Sequence, residues 1–198
     1  MEDDPFNGSR KILLISGDDK LSSRIAELLH PIGTVIVPST DAGLALIAVD
    51  AFQAVLFEIP RTNAAALFQI TLLTTKAARL PVLVIGPNED DSFLAEAIFS
   101  GAQEYIGREQ LNARLLHRSI FSANARQQER LALVDEKENY YSIFDHLVEG
   151  IFRSTVDGHY LLANVALARI YGYSSPVELM ANIKDIASRL YVEAGRRE

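Results

Sequence analysis

Lys11-Ile12-Leu13-Leu14-Ile15-Ser16 sets four branched aliphatic side chains in a row between a lysine and a serine. A strand with one wet face alternates apolar and polar residues, so an unbroken run marks a strand covered on both sides. Val82-Leu83-Val84-Ile85, between Pro81 and Gly86, repeats the pattern. Strand-like runs fall at residues 11–16, 34–37, 54–58, 81–85 and 104–106, and helix-like segments separate them. That alternation predicts a mostly parallel sheet with helices on both faces. In such a fold the active residues gather at the carboxyl ends of the strands, beside the topological switch point. There this chain places Ser16 and Gly17, Glu58, Gly86 and Arg108.

The intervening segments carry helix signals. Leu21, Ile25, Leu28 and Leu29 fall at helical spacing, with Asp18 or Asp19 placed to cap the first turn. Thr40 or Asp41 can open the second helix, turning Leu44, Ile47 and Ala48 inward. A third is expected over residues 64–76 and a fourth over 91–100, with Asp90-Asp91 at its start and Phe93, Ala97 and Ile98 as its apolar face. Gly101 then suits a helix end that needs positive φ.

The fifth helical pattern begins near Gln110 and meets neither proline nor glycine before Gly150. It far exceeds the mean helix of about 11–12 residues. Ile120, Gln127, Leu131, Val134, Tyr141, Phe144 and Val148 make a heptad-like seam, interrupted by Asn124 and Glu138. A near-continuous connector that pairs two copies is expected; two helices bent near Val134-Asp135 are the alternative. Beyond Gly150, two short strands flank Val156-Asp157-Gly158, a hairpin signal, and Asn164 stands where an N-cap belongs. Gly172 can close that helix, and Pro176 opens another.

Composition bounds the function. The chain has 198 residues, 48% of them hydrophobic, enough for one large domain or two smaller ones with a real core. A net charge of −7 argues against general nucleic-acid binding, although Arg114, Arg118, Arg126 and Arg130 share one expected helix. With no cysteine there is no disulfide, thiolate metal site or thiol nucleophile. No apolar run nears the roughly 20 residues of a membrane span, and the polar start is unlike a signal peptide. The expected location is the cytoplasm. His30, His117, His146 and His159 lack metal-ligand spacing, and no phosphate loop, nucleophile elbow or HExxH motif occurs.

Residues 11–15, 81–85 and Gly101-Ala102-Gln103-Glu104-Tyr105-Ile106 together resemble a response-regulator receiver domain over residues 10–126. The resemblance implies a flavodoxin-like, doubly wound five-stranded parallel sheet of order 2-1-3-4-5. It also implies phosphoryl transfer from a histidine kinase to an aspartate with a bound magnesium ion. This chain departs from that set at each strand end. Ser16 and Gly17 stand where the acidic pair belongs; Asp18 and Asp19 follow, as helix cap or as magnesium ligands. Glu58 occupies the acceptor position, one methylene longer than aspartate, either mimicking a charged state or solvating a strand end. Gly86 replaces a hydroxyl residue. Arg108 replaces a lysine, a change that is not conservative, and its plain structural role is an ion pair with Glu58 or Asp18. Tyr105 matches the aromatic that reports phosphorylation in the family, but without a hydroxyl partner at Gly86 it reads as packing or interface surface.

A second resemblance runs from Tyr140-Tyr141-Ser142-Ile143-Phe144 through Val148-Glu149-Gly150-Ile151-Phe152 and Asp157-Gly158 to Asn164 and Tyr171-Gly172-Tyr173. This string looks like the front of a PAS sensor domain over residues 140–198, lacking the later strands. Either a longer protein or dimerisation is expected to complete it. Residues 110–148 would be the connector. Taken together, the expectation is a phosphorelay regulator rather than an enzyme: a pseudo-receiver joined by a helix to a PAS module. It would form a homodimer through Tyr105, Ile120, Leu131, Val134, Tyr141 and Phe144, contact other signalling proteins, and need no cofactor, nucleic acid or membrane. The alternatives are a working receiver using magnesium at Asp18, Asp19 and Glu58, or the front end of an enzyme such as a diguanylate cyclase or histidine kinase.

Overall fold

The computed structural model describes residues 11–87, 91–184 and 186, in two compact units, 1–131 and 132–198. Arg10, Asp90 and the final stretch 187–198 lie outside the described residues.

In the first unit, β1 (Lys11–Ile15), β2 (Gly33–Val37), β3 (Ala54–Glu58), β4 (Val82–Gly86) and β5 (Glu104–Gly107) form one parallel sheet of order β2-β1-β3-β4-β5. Alternate residues of each strand feed opposite cores. Leu13, Ile15, Val55, Phe57, Val82 and Val84 pack under α2 (Thr40–Ile47), α3 (Ala64–Lys76) and α4 (Asp91–Phe99). Ile12, Leu14, Leu56, Leu83, Ile85 and Ile106 pack under α1 (Asp19–Leu29) and the start of α5 (Ala113–His146). Covering both faces is why these strands read as unbroken apolar runs.

The local signals explain the element ends. Asp18, Ser39 and Asn63 accept hydrogen bonds from Leu21, Ala42 and Ala66 N–H groups at 3.0, 3.3 and 2.9 Å. Each satisfies a donor that its helix leaves unpaired. The α2 cap is therefore Ser39, one residue ahead of the expected start. Ala48 is exposed at the C-cap and buried Gly43 takes the inward place; Ile98 is exposed too. Gly101 has φ of 99°, in the left-handed region that ends α4.

α5 is one helical element of 34 residues and not two separate helices. Its first turns belong to the receiver-like body, which corrects part of the expected seam. Ile120 is 3% exposed in the core with Leu116 and Ala123, so it offers nothing to a second copy. Gln127 is buried as well: its amide donates to Ala78 O at 2.7 Å and accepts from Gln103 Nε2 at 2.7 Å. Arg130 donates to the same Ala78 carbonyl at 3.1 Å, and Arg126 lies 3.7 Å from Glu104. Both arginines stay exposed while making these contacts to the domain. No helix among the described residues is long and apolar enough to cross a membrane.

The second unit holds an antiparallel hairpin, β6 (Phe152–Ser154) and β7 (Tyr160–Ala163), then α6 (Val165–Ile170) and α7 (Pro176–Asn182). Gly158, with φ of 88°, makes the turn. Ala163, Leu167, Ala168, Leu179, Ile183 and Ile186 form its core. Ser175 caps α7, and Ser174 donates to the Glu178 carboxylate, holding that carboxyl below its ordinary range. Phe144 is buried here and stacks on Tyr140, so it too leaves the expected pairing seam.

Asn164 organises this unit. It is fully buried, and its amide donates to Phe144 O and Glu149 O at 3.0 and 2.8 Å. Its Oδ1 accepts from Ile151 and Leu167 N–H groups at 3.0 and 2.9 Å. One side chain thus caps α6 and ties the end of α5 to the hairpin. Removing it strands buried backbone groups, each costly to leave unpaired. Asn164→Ala should destabilise the second unit by about 2–4 kcal/mol. Hydrogen exchange should show the loss of protection in residues 144–170 and none in β1 to β5.

Candidate functional site

The strand register brings three substituted ends together. β1 and β3 pair with Ile15 opposite Phe57, so Ser16 and Glu58, one residue further on, lie side by side. β5 ends at Gly107, and the single 3-10 turn Arg108–Gln110 turns Arg108 back over the sheet edge. Glu58 is 5% exposed, and a buried carboxylate demands compensation. Arg108 supplies it: Nη2 donates to Glu58 Oε1 in a close ion pair and to Ile59 O at 2.8 Å. The Arg108 side chain is 31% exposed, so its cation stays partly hydrated while the carboxylate is enclosed. Arg108 Nε is buried without a partner, so the guanidinium engages end-on rather than as a two-toothed fork.

The second carboxylate oxygen faces Ser16. The Ser16 hydroxyl lies 3.3 Å from Glu58 Oε2 and 3.4 Å from Asp18 O, and accepts from the Asp18 N–H at 3.1 Å. Serine at this position therefore does structural work beside the carboxylate. Asp18 and Asp19 are exposed. Asp18 Oδ1 is spent on the cap of α1, so Arg108 has paired with Glu58 and not with Asp18. A cleft of about 400 Å³ opens over Ser16, Asp18, Thr40, Glu58, Gln69 and Arg108.

This donor set does not fit magnesium. The ion takes octahedral oxygen ligands, usually with carboxylates that carry free charge. Glu58 is neutralised by a guanidinium, Asp18 caps a helix, and among the described residues no three His, Asp or Glu side chains converge. A metal at Asp18, Asp19 and Glu58 would have to displace both the Arg108 pair and the α1 cap.

Gly86 closes β4 and is buried, with Tyr105 beside it. Tyr105 is half-buried, packs against the α3–α4 core, lies edge-on to Phe93, and donates its hydroxyl to Pro87 O at 2.8 Å. Its polar tip is turned to a backbone carbonyl, in keeping with the packing alternative given for it. Two partnerships at this site carry no sequence signal, Ser16 with Glu58 and Pro87 O with Tyr105. Backbone proximity, and not any motif, creates both.

Among solved structures, three similar ones indicate the fold. A response-regulator receiver domain protein (CheY-like) from Methanospirillum hungatei is 18% identical, with a TM-score of 0.54, and covers 62% of this chain and 99% of its own. An orphan response regulator of H. pylori is 22% identical, with a TM-score of 0.51, over 59% of this chain and 98% of its own. An atypical orphan response regulator, described with a phosphorylation-independent regulatory mechanism, is 20% identical at a TM-score of 0.51, over 58% and 95%. No protein-family model and no curated protein matches the chain. The shared feature is the flavodoxin-like receiver fold, with its 2-1-3-4-5 sheet.

Removing one partner of a buried pair leaves an uncompensated charge, and partial exposure of the other partner reduces that cost. Arg108→Met should lower stability by about 1–3 kcal/mol in urea denaturation at neutral pH. The Glu58→Met/Arg108→Met double variant should recover most of the loss. An unchanged midpoint for Arg108→Met would mean that the pair contributes nothing.

Proposed function

We propose that this chain is a signal-transduction regulator in which a receiver-like domain that takes no phosphoryl group serves as a protein-interaction module. One observation carries the reading: the acceptor-position carboxylate of Glu58 is buried and already paired with Arg108. A nucleophilic carboxylate needs a free oxygen and a cation that will hold the incoming phosphoryl group. Here the available cation is consumed by the carboxylate itself. Regulation would then run through surfaces instead of phosphorylation; an atypical orphan regulator of similar fold is described with a phosphorylation-independent mechanism.

The reading extends along α5. In this account residues 140–198 are the front of a PAS sensor module, and α5 couples it to the receiver-like domain. Pairing of two copies would use Leu131, Val134 and Tyr141; Val134 and Tyr141 are exposed and Leu131 half-buried. A shift in that pairing would pass along the helix, provided two arrangements of similar free energy exist. Support for the coupling is the unbroken run of α5 from Ala113 to His146.

Incubation with magnesium and acetyl phosphate, followed by intact-mass analysis, is expected to leave the mass unchanged. A stable phosphoryl adduct that disappears in Glu58→Gln would reverse the reading in favour of a working receiver. For the pairing, light scattering of the intact chain should report a dimer that Val134→Asp weakens without unfolding either unit. A monomer, or a dimer indifferent to Val134→Asp, would count against the seam.

A further inference from the structure

The solvated half of α5 keeps one face open. Val134, Lys137, Glu138, Tyr141 and Asp145 line a single groove there, and all five are exposed. Val134, Glu138, Tyr141 and Asp145 follow one another at intervals of four, three and four, the spacing of a seam between helices. Two of those four seam positions carry carboxylates. Lys137 lies beside them, its ammonium 6.0 Å from the centre of the Tyr141 ring. The helix is also polarised along its length. Its first turns hold Arg114, Arg118, Arg126 and Arg130 against Glu129. Its solvated turns hold Asp135, Glu136, Glu138 and Asp145 against Lys137.

We propose that two copies pair antiparallel along this groove, about a two-fold axis near residue 139; the orientation rests on the pairing of copies proposed above. Parallel helices in register would set Glu138 against its own copy in the seam, and Asp145 likewise. Like charges placed face to face oppose pairing. Reversing one helix removes both oppositions, because the seam then stacks Glu138 on Tyr141 and Val134 on Asp145. At the first contact the carboxylate finds the Tyr141 hydroxyl and the Lys137 ammonium beside that ring. At the second, Asp145 comes within one turn of the exposed Arg130. Reversal also turns the acidic end of each helix toward the basic end of the other. Val134 and Tyr141 bury apolar surface in either orientation, so charge decides between them.

The chain has no cysteine, so Phe121→Cys, at a site 66% exposed and outside the seam, can carry one spin label per copy. Pulsed dipolar spectroscopy on the intact chain then reads the distance between the two labels. At a rise of about 1.5 Å per residue, antiparallel helices hold the labels about 50 Å apart. Parallel helices side by side bring them to about 30 Å or less. A dimer by light scattering with the long distance supports the orientation. A dimer with the short distance overturns it and leaves the pairing standing. A monomer overturns both.

Discussion

A carboxylate enclosed at the end of a central strand must find a cation, and at Glu58 that demand shapes the whole carboxyl edge of the sheet. β3 is flanked by β1 and β4, and Glu58 meets the cleft at their carboxyl ends with only 5% of its surface exposed. Arg108 answers from the turn after β5, spanning the distance that a parallel sheet puts between its third and fifth strands, and adds a bond to Ile59 O. Ser16 answers from the end of β1. What resembles a set of lost catalytic positions is a set of mutually satisfied groups. The Glu58 carboxylate and the Ser16 hydroxyl each have a partner, whereas Arg108 Nε and Thr40 Oγ1 at the same cleft are buried without one.

The same logic extends outward from that edge. Gly86 has no side chain, and Tyr105 fills the space with an inward hydroxyl on Pro87 O. Further down β5, Gln103 meets Gln127, and Arg126 and Arg130 reach the domain body from α5. The early turns of α5 are thereby part of the receiver-like core, and only the turns beyond Leu131 are exposed on all sides up to Ile143. The helix is one element with two physical regimes, a packed half and a solvated half. Any role in transmitting a signal depends on that division.

Much of the fold was legible because burial on both faces leaves a distinctive mark. The runs at Ile12–Ile15 and Val82–Ile85 could be little else, and Asp18, Gly101, Asn164 and Gly172 announced element ends by their own chemistry. The heptad seam misled at Ile120, Gln127 and Phe144 because a helix packed on a sheet and a helix packed on another helix share nearly the same periodicity. Ile120 faces the sheet, Gln127 the Ala78 carbonyl, and Phe144 is buried within the second unit. At the site, residue types were legible and partnerships were not. Glu58 could have paired with Arg108 or stood free, and Arg108 could have chosen Asp18. The strand register and the α1 cap made the choice, and neither is visible in spacing alone. The PAS resemblance rests on order and residue type in the second unit, where the Asn164 side chain ties helix, loop and hairpin together.

The central claim is that Glu58 is held by Arg108 and is closed to phosphoryl chemistry. A crystal structure of the chain grown with magnesium and beryllofluoride, a mimic of the phosphoryl group, tests it most directly. The account predicts the Arg108 guanidinium on the Glu58 carboxylate, Ser16 against the other oxygen and Asp18 on the cap of α1, with no fluoride adduct at Glu58. Beryllofluoride joined to Glu58, with Arg108 swung aside and magnesium on Asp18 or Asp19, would contradict it.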